Sequence, residues 1–145
     1  MKGDRVFLDT NVIVYAYDAS AGVKHEVAAG VVEGLWRRGC GVVSTQVLQE
    51  FYVTVTRKIP KPLALAAARE VVADFLKWEV VVNDGQSILD AIDIQARHGF
   101  SFWDSMIIAS AAAGGAARLL SEDLSDGQVV AGVAIANPFS SEFSQ

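Results

Sequence analysis

The sequence has few of the residues that build disulfides, zinc sites and strongly basic surfaces. Cys40 is the only cysteine among 145 residues, and it forms no cluster with the two histidines. We therefore expect neither an intrachain disulfide nor a structural zinc site. Twelve Lys and Arg against seventeen Asp and Glu give a net charge of −5, which argues against nucleic-acid binding through bulk positive charge. A nuclease is still compatible with this balance, because a bound divalent cation supplies positive charge locally.

Long hydrophobic runs, repeats and low-complexity linkers are also missing. Asp4, Arg5 and Asp9 interrupt the N-terminal apolar segment, so no signal peptide is predicted. The longest weakly polar stretch, residues 106–117, is too short to span a bilayer. The 52% hydrophobic and 20% charged residues are typical of a compact globular protein. We expect a single domain over residues 1–145, cytoplasmic and without a membrane partner.

Short apolar runs alternate with segments of helical periodicity along the chain. The predicted strands are 6–8, 41–43, 79–82, 118–120 and 133–135. The predicted helices are 10–17, 23–38, 45–58, 63–78, 86–98 and 103–113, with Pro62 suited to a first helical turn. This alternation predicts an α/β fold in which helices cover both faces of a parallel sheet of about four to five strands, a three-layer α/β/α arrangement.

Acidic residues follow two of the predicted strands. Asp9 comes directly after the first strand, and Asp123 lies just past the fourth. Ligands of such folds bind beyond the carboxyl ends of the strands, which makes both residues candidates for a site. Asp9 taken alone fits equally well as the N-cap of the following helix. Glu50 lies one turn into the helix after the second strand, about 60° beyond the edge of its apolar stripe, where a solvated glutamate is the ordinary case.

Asp104 lies where its helix presents apolar residues. Ile107 and Ile108 follow it at helical spacing, so the carboxylate shares the face that should be buried. A buried carboxylate is costly unless it is hydrogen-bonded or binds a metal. Residues 101–104 also match a capping box with Ser101 as the N-cap, which explains an acid here but not its alignment with the apolar face. The alignment favours a functional role.

Together these acids indicate a site for a hard divalent cation. Four carboxylates from four segments would repel one another without a metal, and oxygen-only donors of high charge density suit Mg²⁺ or Mn²⁺. Such ions bind phosphodiesters and activate water. No nucleophile motif, phosphate-binding loop or dinucleotide fingerprint competes, and His25 and His98 have the positions of helix-surface or helix-end residues.

The sequence resembles the PIN-domain family of metal-dependent ribonucleases, with similarity over nearly the whole chain. The stretches that carry it, in order, are FLDTN with Asp9, STQVLQEFYVTVTRK with Glu50, FSFWDSMIIA with Asp104, LLSEDLSDG with Asp123, and the closing IANPF. No one stretch is a strong motif, but four in this order and spacing are specific. The similarity is closest to stand-alone VapC-like toxins of toxin–antitoxin systems.

The resemblance implies an Mg²⁺- or Mn²⁺-dependent endoribonuclease acting on RNA. Its catalytic and metal-binding acids would be Asp9, Glu50, Asp104 and Asp123. Asn11 and Ser121 match polar positions that support the metal ligands. Glu122 and Asp126 flank Asp123, so the identity of the fourth acid stays open between them. VapC-like proteins work as homodimers beside a cognate antitoxin, and the resemblance implies the same partners here.

Several further charged and aromatic residues have ordinary explanations. Asp90 and Asp93 precede the third motif in a helix and are expected to be solvated. The basic residues that could contact an RNA backbone, or simply be solvated, are Arg37, Arg38, Arg57, Lys58 and Arg97. Trp103 could stack on a base or belong to the core.

Two other functions are compatible with parts of the pattern. Asp9 could be the nucleophile of a haloacid-dehalogenase-like phosphatase. That family has a D-x-D motif after the first strand, whereas position 11 here is Asn, and Glu50 would have no role. The acidic cleft could instead be a non-catalytic docking surface for a basic partner on a PIN scaffold. The sequence alone defines neither the RNA target nor the number of metal ions.

Overall fold

The computed structural model describes residues 4–143, which form an α/β structure around one six-stranded sheet. The strands are β1 (Val6–Leu8), β2 (Gly41–Ser44), β3 (Glu79–Val81), β4 (Arg118–Leu120), β5 (Val129–Val130) and β6 (Val133–Ala136). The helices are α1 (Thr10–Tyr17), α2 (Val23–Arg38), α3 (Thr45–Arg57), α4 (Leu65–Phe75), α5 (Gly85–His98) and α6 (Phe102–Ala113). A single 3₁₀ turn, Ala19–Ala21, links α1 to α2.

The strand order β3-β2-β1-β4-β6-β5 puts β1 and β4 side by side. In their parallel register Phe7 lies opposite Leu119, and Leu8 lies opposite Leu120. The chain builds the sheet outward from β1 to β3 and then returns to the other side of β1 with β4. Such a reversal leaves a crevice at the carboxyl ends of the two strands, which is where open parallel sheets bind ligands.

Helices pack around this sheet in two groups, as the predicted three-layer arrangement requires. Helices α1 to α4 pack on one another, with α2 and α3 against β2, while α6 lies on the sheet and α5 packs on α6. The end of α6 approaches closely, because a Cβ on Gly114 would come within 2.7 Å of the Val42 side chain. No helix among residues 4–143 is long and apolar enough to cross a membrane.

Four of the six helices within residues 4–143 begin where a polar side chain accepts one of their first N–H groups. Asp9 caps α1 at the end of β1, and Ser44 caps α3 at the end of β2. Asp84 and Ser87 form a reciprocal capping box at α5, and Ser101 accepts the N–H of Asp104 at α6. These caps satisfy backbone donors that the first helical turn leaves unpaired. At β1 and β2 they start the next helix directly at the carboxyl edge of the sheet.

The predicted helix over 63–78 is too long at both ends. Helix α4 covers only Leu65–Phe75, so Pro62 precedes it and is not in its first turn. The N–H of Leu63 donates to the carbonyl of Val55, which ties this segment to α3 instead. At the other end Trp78 turns back to pack edge-on against Phe75, with ring centroids 4.9 Å apart.

The prediction of a sheet of four to five strands omits one strand, because the observed sheet has six. The missing strand is β5, which pairs antiparallel with β6 through a turn at Ala131 and Gly132. Both turn residues have positive φ values, 52° and 79°, as the tight two-residue hairpin turn requires. Two residues are too few to produce a period in the sequence, so β5 carries no strand signal of its own.

Candidate metal centre

A cavity of about 200 Å³ opens at the carboxyl edge of the sheet, and we refer to it as the acidic cavity. The structure brings the four predicted acids together around it, although they come from four separate segments. The residues that line it are Asp9, Thr10, Asn11, Gln46, Glu50, Thr54, Trp103, Asp104, Ile107 and Asp123. The arrangement follows from the β1–β4 neighbourhood, because the carboxyl ends of adjacent parallel strands share one edge of the sheet.

Asp9 is the most deeply placed of the four acids, with 7% of its surface exposed. One carboxylate oxygen accepts the N–H of Thr10 at 2.7 Å, and the other accepts the hydroxyl of Ser121 at 2.8 Å. Burial raises the pKa of Asp9 to about 6; the two hydrogen bonds oppose the rise, and the charges of Glu50 and Asp123 add to it. Asp9 therefore serves as an N-cap and also lines the acidic cavity, so capping does not remove it from the candidate site.

Asn11 and Ser121 tie α1 to the segment that follows β4. The Asn11 amide donates to Asp123 Oδ2 at 3.1 Å and to Ser121 Oγ at 3.3 Å, while its oxygen accepts the N–H of Glu122. Ser121 Oγ also accepts the N–H of Asp123 at 3.1 Å. One buried hydroxyl and one amide thus fix the positions of Asp9 and Asp123 relative to each other.

Glu50 and Asp104 reach the acidic cavity from helices. Glu50 is exposed on α3, and its Oε1 accepts the hydroxyl of Thr10 at 2.9 Å. Asp104 lies in the first turn of α6, where its N–H donates to Ser101 Oγ at 3.1 Å. Asp104 is half-buried. It belongs to the capped first turn of α6 and, like Ile107, lines the cavity.

Of the three acids after β4, only Asp123 lines the acidic cavity. Glu122 accepts hydrogen bonds from Tyr15 Oη at 2.7 Å and Lys24 Nζ at 2.8 Å. Burial works to raise the pKa of Glu122, but these two hydrogen bonds outweigh it and hold the pKa below its usual value. Asp126 accepts the N–H of Asn137 at 3.1 Å and so fixes a loop. The geometry therefore favours Asp123 as the fourth acid of the site.

The other residues that the sequence singled out divide by location. Arg37 and Arg38 end α2 just before β2 begins, so they lie at the opposite edge of the sheet from the acidic cavity. Lys58 lines a shallow hollow together with Glu50. A separate cavity between α5 and α6 is lined by Asp90, Asp93, Arg97 and His98, among others.

Trp103 is not a core residue. It is 64% exposed although it lines the acidic cavity, and its ring packs edge-on against Phe102 with centroids 5.1 Å apart. The structure therefore places an exposed indole beside the four carboxylates.

Sequence reasoning missed three polar residues of the cavity, Thr10, Gln46 and Thr54. Thr10 had a usable signal, since it follows Asp9 in the first turn of α1, from which a hydroxyl can reach a neighbouring helix. Gln46 had none, because its burial depends on how α3 meets the sheet.

The residues of the acidic cavity fit a hard divalent cation. Its carboxylate, hydroxyl and carboxamide oxygens are suitable donors, and the charge of Asp9 is destabilised first by burial and then by Glu50 and Asp123, an environment that a cation relieves. The Gln46 side-chain oxygen is buried and has no hydrogen-bond partner among residues 4–143. Within the same residues no three His, Cys, Asp or Glu side chains are grouped closely enough to hold a metal ion as they stand.

Comparisons with known proteins agree with this architecture. The PIN domain model matches residues 6–125. The structure of VapC20 from Mycobacterium tuberculosis, described as a toxin that cleaves the sarcin-ricin loop, is similar with a TM-score of 0.58 and 18% identity over 79% of this chain and 86% of that one. DNA-bound VapBC from Salmonella typhimurium matches with a TM-score of 0.63 and 20% identity over 93% and 98% of the two chains.

A toxin–antitoxin complex from Klebsiella pneumoniae matches with a TM-score of 0.66 and 14% identity, over 92% of this chain and 98% of that one. At such identities the solved structures establish the likeness of the fold. No curated protein matches the chain.

Proposed function

This chain belongs to the PIN-domain family, and on that basis we propose that it is a divalent-metal-dependent endoribonuclease that hydrolyses RNA phosphodiester bonds. The observation that carries the proposal is the acidic cavity, where Asp9, Glu50, Asp104 and Asp123 meet at the topological switch point. Four carboxylates in one small cavity are costly without a cation, and a divalent ion with a phosphodiester bound to it removes that cost.

In this proposal the four acids would hold Mg²⁺ or Mn²⁺, and the chemistry that such an ion would supply is positive charge for the phosphodiester and a lowered pKa for water. Asn11, Ser121 and Thr10 orient three of the acids through the hydrogen bonds described above. No histidine among residues 4–143 lines the acidic cavity, and we assign the orientation of the water to one of the carboxylates. Glu50 suits this role, because it is exposed and one hydrogen bond holds it.

RNA binding would depend on a few local contacts, since the net charge is −5. Trp103 offers an exposed aromatic face to a base beside the acidic cavity. Lys58 lies next to Glu50 and could contact a phosphate. The proposed substrate is therefore a single-stranded or looped RNA whose bases are accessible.

A cleavage assay on total cellular RNA with Mg²⁺, with Mn²⁺ and with EDTA tests the proposal. We expect discrete fragments only with metal, and loss of roughly 10³-fold in rate for Asp104→Asn, because about 4 kcal/mol of metal-dependent stabilisation is removed. Asp93→Asn is the matched control, since Asp93 is exposed on α5 and lines a different cavity. Equal cleavage by folded Asp104→Asn and wild-type protein would overturn the assignment.

The proposal extends to the cellular role. We propose that the chain is the toxin of a toxin–antitoxin pair, acts in the cytoplasm as one domain over residues 1–145 and forms a homodimer. Supporting this are the structural likeness to toxin–antitoxin complexes and a row of exposed apolar side chains on α5, Ile88, Leu89 and Ile92. An apolar row on a solvent-facing helix is typical of an interface.

The two alternatives predict different outcomes in related assays. A phosphatase would form an aspartyl-phosphate on Asp9, yet both oxygens of Asp9 already accept hydrogen bonds and Asn11 is used to hold Asp123. A docking module would bind a basic partner without metal-dependent cleavage. No specific observation favours either over the ribonuclease.

A further inference from the structure

Gln46 is a polar residue buried in the wall of the acidic cavity. It is 8% exposed in the first turn of α3, and its neighbours Val47 and Leu48 belong to the core. Its backbone N–H donates to Asn83 Oδ1 at 3.1 Å, which anchors the start of the helix. The side-chain oxygen, in contrast, has no hydrogen-bond partner among residues 4–143. The position is therefore held firmly, while its functional group is left unpaired.

A buried acceptor without a partner lowers stability, because it has lost water and gained nothing in return. An apolar side chain of similar size would avoid this loss. A buried unpaired group calls for an explanation, and a role in a functional site is one such explanation. The oxygen of Gln46 thus calls for a partner that residues 4–143 do not supply.

The location of Gln46 indicates what that partner is. Gln46 lies four residues before Glu50, so the two side chains share one face of α3, and both line the acidic cavity. Carboxamide oxygens are good ligands for hard divalent cations. A neutral oxygen is also suitable beside four carboxylates, because it adds a donor without adding repulsion to Asp9.

We propose that the carboxamide oxygen of Gln46 is an additional oxygen donor for the divalent cation of the acidic cavity. The cation would then have four carboxylates and one neutral oxygen available to it. This inference rests on the proposed function in one respect, since it takes the acidic cavity to be the metal site. It gives a chain-specific reason for a buried glutamine that the four acids do not explain.

This inference is tested by measuring Mn²⁺ binding to the RNA-free protein by calorimetry. The proteins compared are wild type, Gln46→Met and Gln49→Met. Gln49 is the matched control, because it is an exposed glutamine on the same helix and lies outside the acidic cavity. We expect Gln46→Met to weaken Mn²⁺ binding roughly tenfold, as for loss of a supporting metal contact. Gln49→Met should bind like wild type. The melting temperature of metal-free Gln46→Met should be unchanged or raised, because an unpaired acceptor has been removed.

The outcomes separate this inference from the proposed function. If wild type and Gln46→Met bind Mn²⁺ equally, the inference is wrong and the proposed function stands. If wild type binds no Mn²⁺, both are wrong. If Gln46→Met melts lower and also binds weakly, Gln46→Glu decides, since it keeps the shape and restores an oxygen donor. Recovery of Mn²⁺ binding in Gln46→Glu supports the inference, and binding as weak as that of Gln46→Met overturns it.

Discussion

The two sides of the acidic cavity are built differently. On the strand side, Asp9 and Asp123 follow adjacent strands and are joined through Asn11 and Ser121 by hydrogen bonds of 2.8 to 3.3 Å. On the helix side, Glu50 is exposed and its carboxylate accepts one hydrogen bond, from Thr10. The strand side is fixed before any ligand arrives, whereas Glu50 retains freedom to move.

This difference explains how an acid-rich cavity can be stable without being a finished metal cage. The unfavourable free energy of a buried carboxylate lies on the strand side, where burial raises the pKa of Asp9. On the helix side, Glu50 keeps its charge near solvent, where repulsion is weaker, and Asp104 is half-buried. Binding a cation would then draw the helix carboxylates towards the fixed pair. Three substitutions probe this division, beginning with the largest expected effect.

Asp9→Asn should remove the unfavourable free energy of the buried carboxylate on the strand side. The pKa of Asp9 rises from 3.8 to about 6 on folding, so the folded protein binds the extra proton more tightly than the unfolded chain. The free energy of unfolding of the metal-free protein should therefore fall as pH increases from about 4 to 6, and stay lower above that range. At about 1.4 kcal/mol per pKa unit the cost is up to about 3 kcal/mol at pH 8, which Asp9→Asn recovers in part.

Urea unfolding in EDTA at pH 4.5 and pH 8 measures this effect. Asp93→Asn is the control, because its carboxylate is exposed. Parallel pH profiles for wild type and Asp9→Asn would show that Asp9 carries no such cost. Added Mn²⁺ should stabilise wild type at pH 8 much more than Asp9→Asn, since the cation occupies the position of the missing proton.

Much of the strand side could be predicted from the sequence. Short apolar runs ending at Asp9 and near Asp123 predicted parallel strands with acids at one edge, and only the adjacency of β1 and β4 had to be assumed. The role of Asn11 and Ser121 came from the family resemblance, and the observed hydrogen bonds give it a physical basis. Asp104 was predicted as a site residue because its position along α6 conflicts with its charge, and the structure places it in the lining of the acidic cavity.

The helix side was less predictable. The contact of Glu50 with Thr10 and the burial of Gln46 both depend on how α3 packs beside α1, and no period in the sequence encodes that packing. The errors in the fold have similar causes. The start of α4 was predicted too early, because the backbone N–H of Leu63 donates a hydrogen bond to Val55 of α3. Strand β5 was missed because two residues are too few to produce a pattern.

Asn11→Ala should loosen the strand side without removing a charge. The substitution deletes the amide that joins Asp123 to Ser121 and the oxygen that accepts the N–H of Glu122. We expect Mn²⁺ affinity to fall by about 10- to 100-fold, as for loss of a group that orients metal ligands. Calorimetry measures the effect, with Asn137→Ala as the control because the side chain of Asn137 accepts the N–H of Phe139 and does not line the acidic cavity. Equal losses in the two variants would contradict a fixed strand side.

Trp103→Ala changes the helix side, and its expected effect differs from that of Asn11→Ala. It should weaken RNA binding while leaving Mn²⁺ binding unchanged. Stacking of one base on an aromatic ring contributes about 1 to 3 kcal/mol, so we expect affinity for single-stranded RNA to fall by about 5- to 150-fold. The measurement uses fluorescence anisotropy in an Asp104→Asn background, so that cleavage does not consume the probe. Trp103→Phe should retain part of the affinity, because a smaller ring still stacks.

Val129→Ala controls for the loss of exposed apolar surface, since Val129 is 64% exposed, the same fraction as Trp103, and lies away from the acidic cavity on β5. If Trp103→Ala binds RNA like its parent, the indole does not contact the substrate. If it melts several degrees lower, packing against Phe102 is its main contribution. A selective loss of RNA affinity, with melting temperature and Mn²⁺ binding unchanged, would show that the exposed side of the cavity recognises the substrate while the fixed side holds the ion.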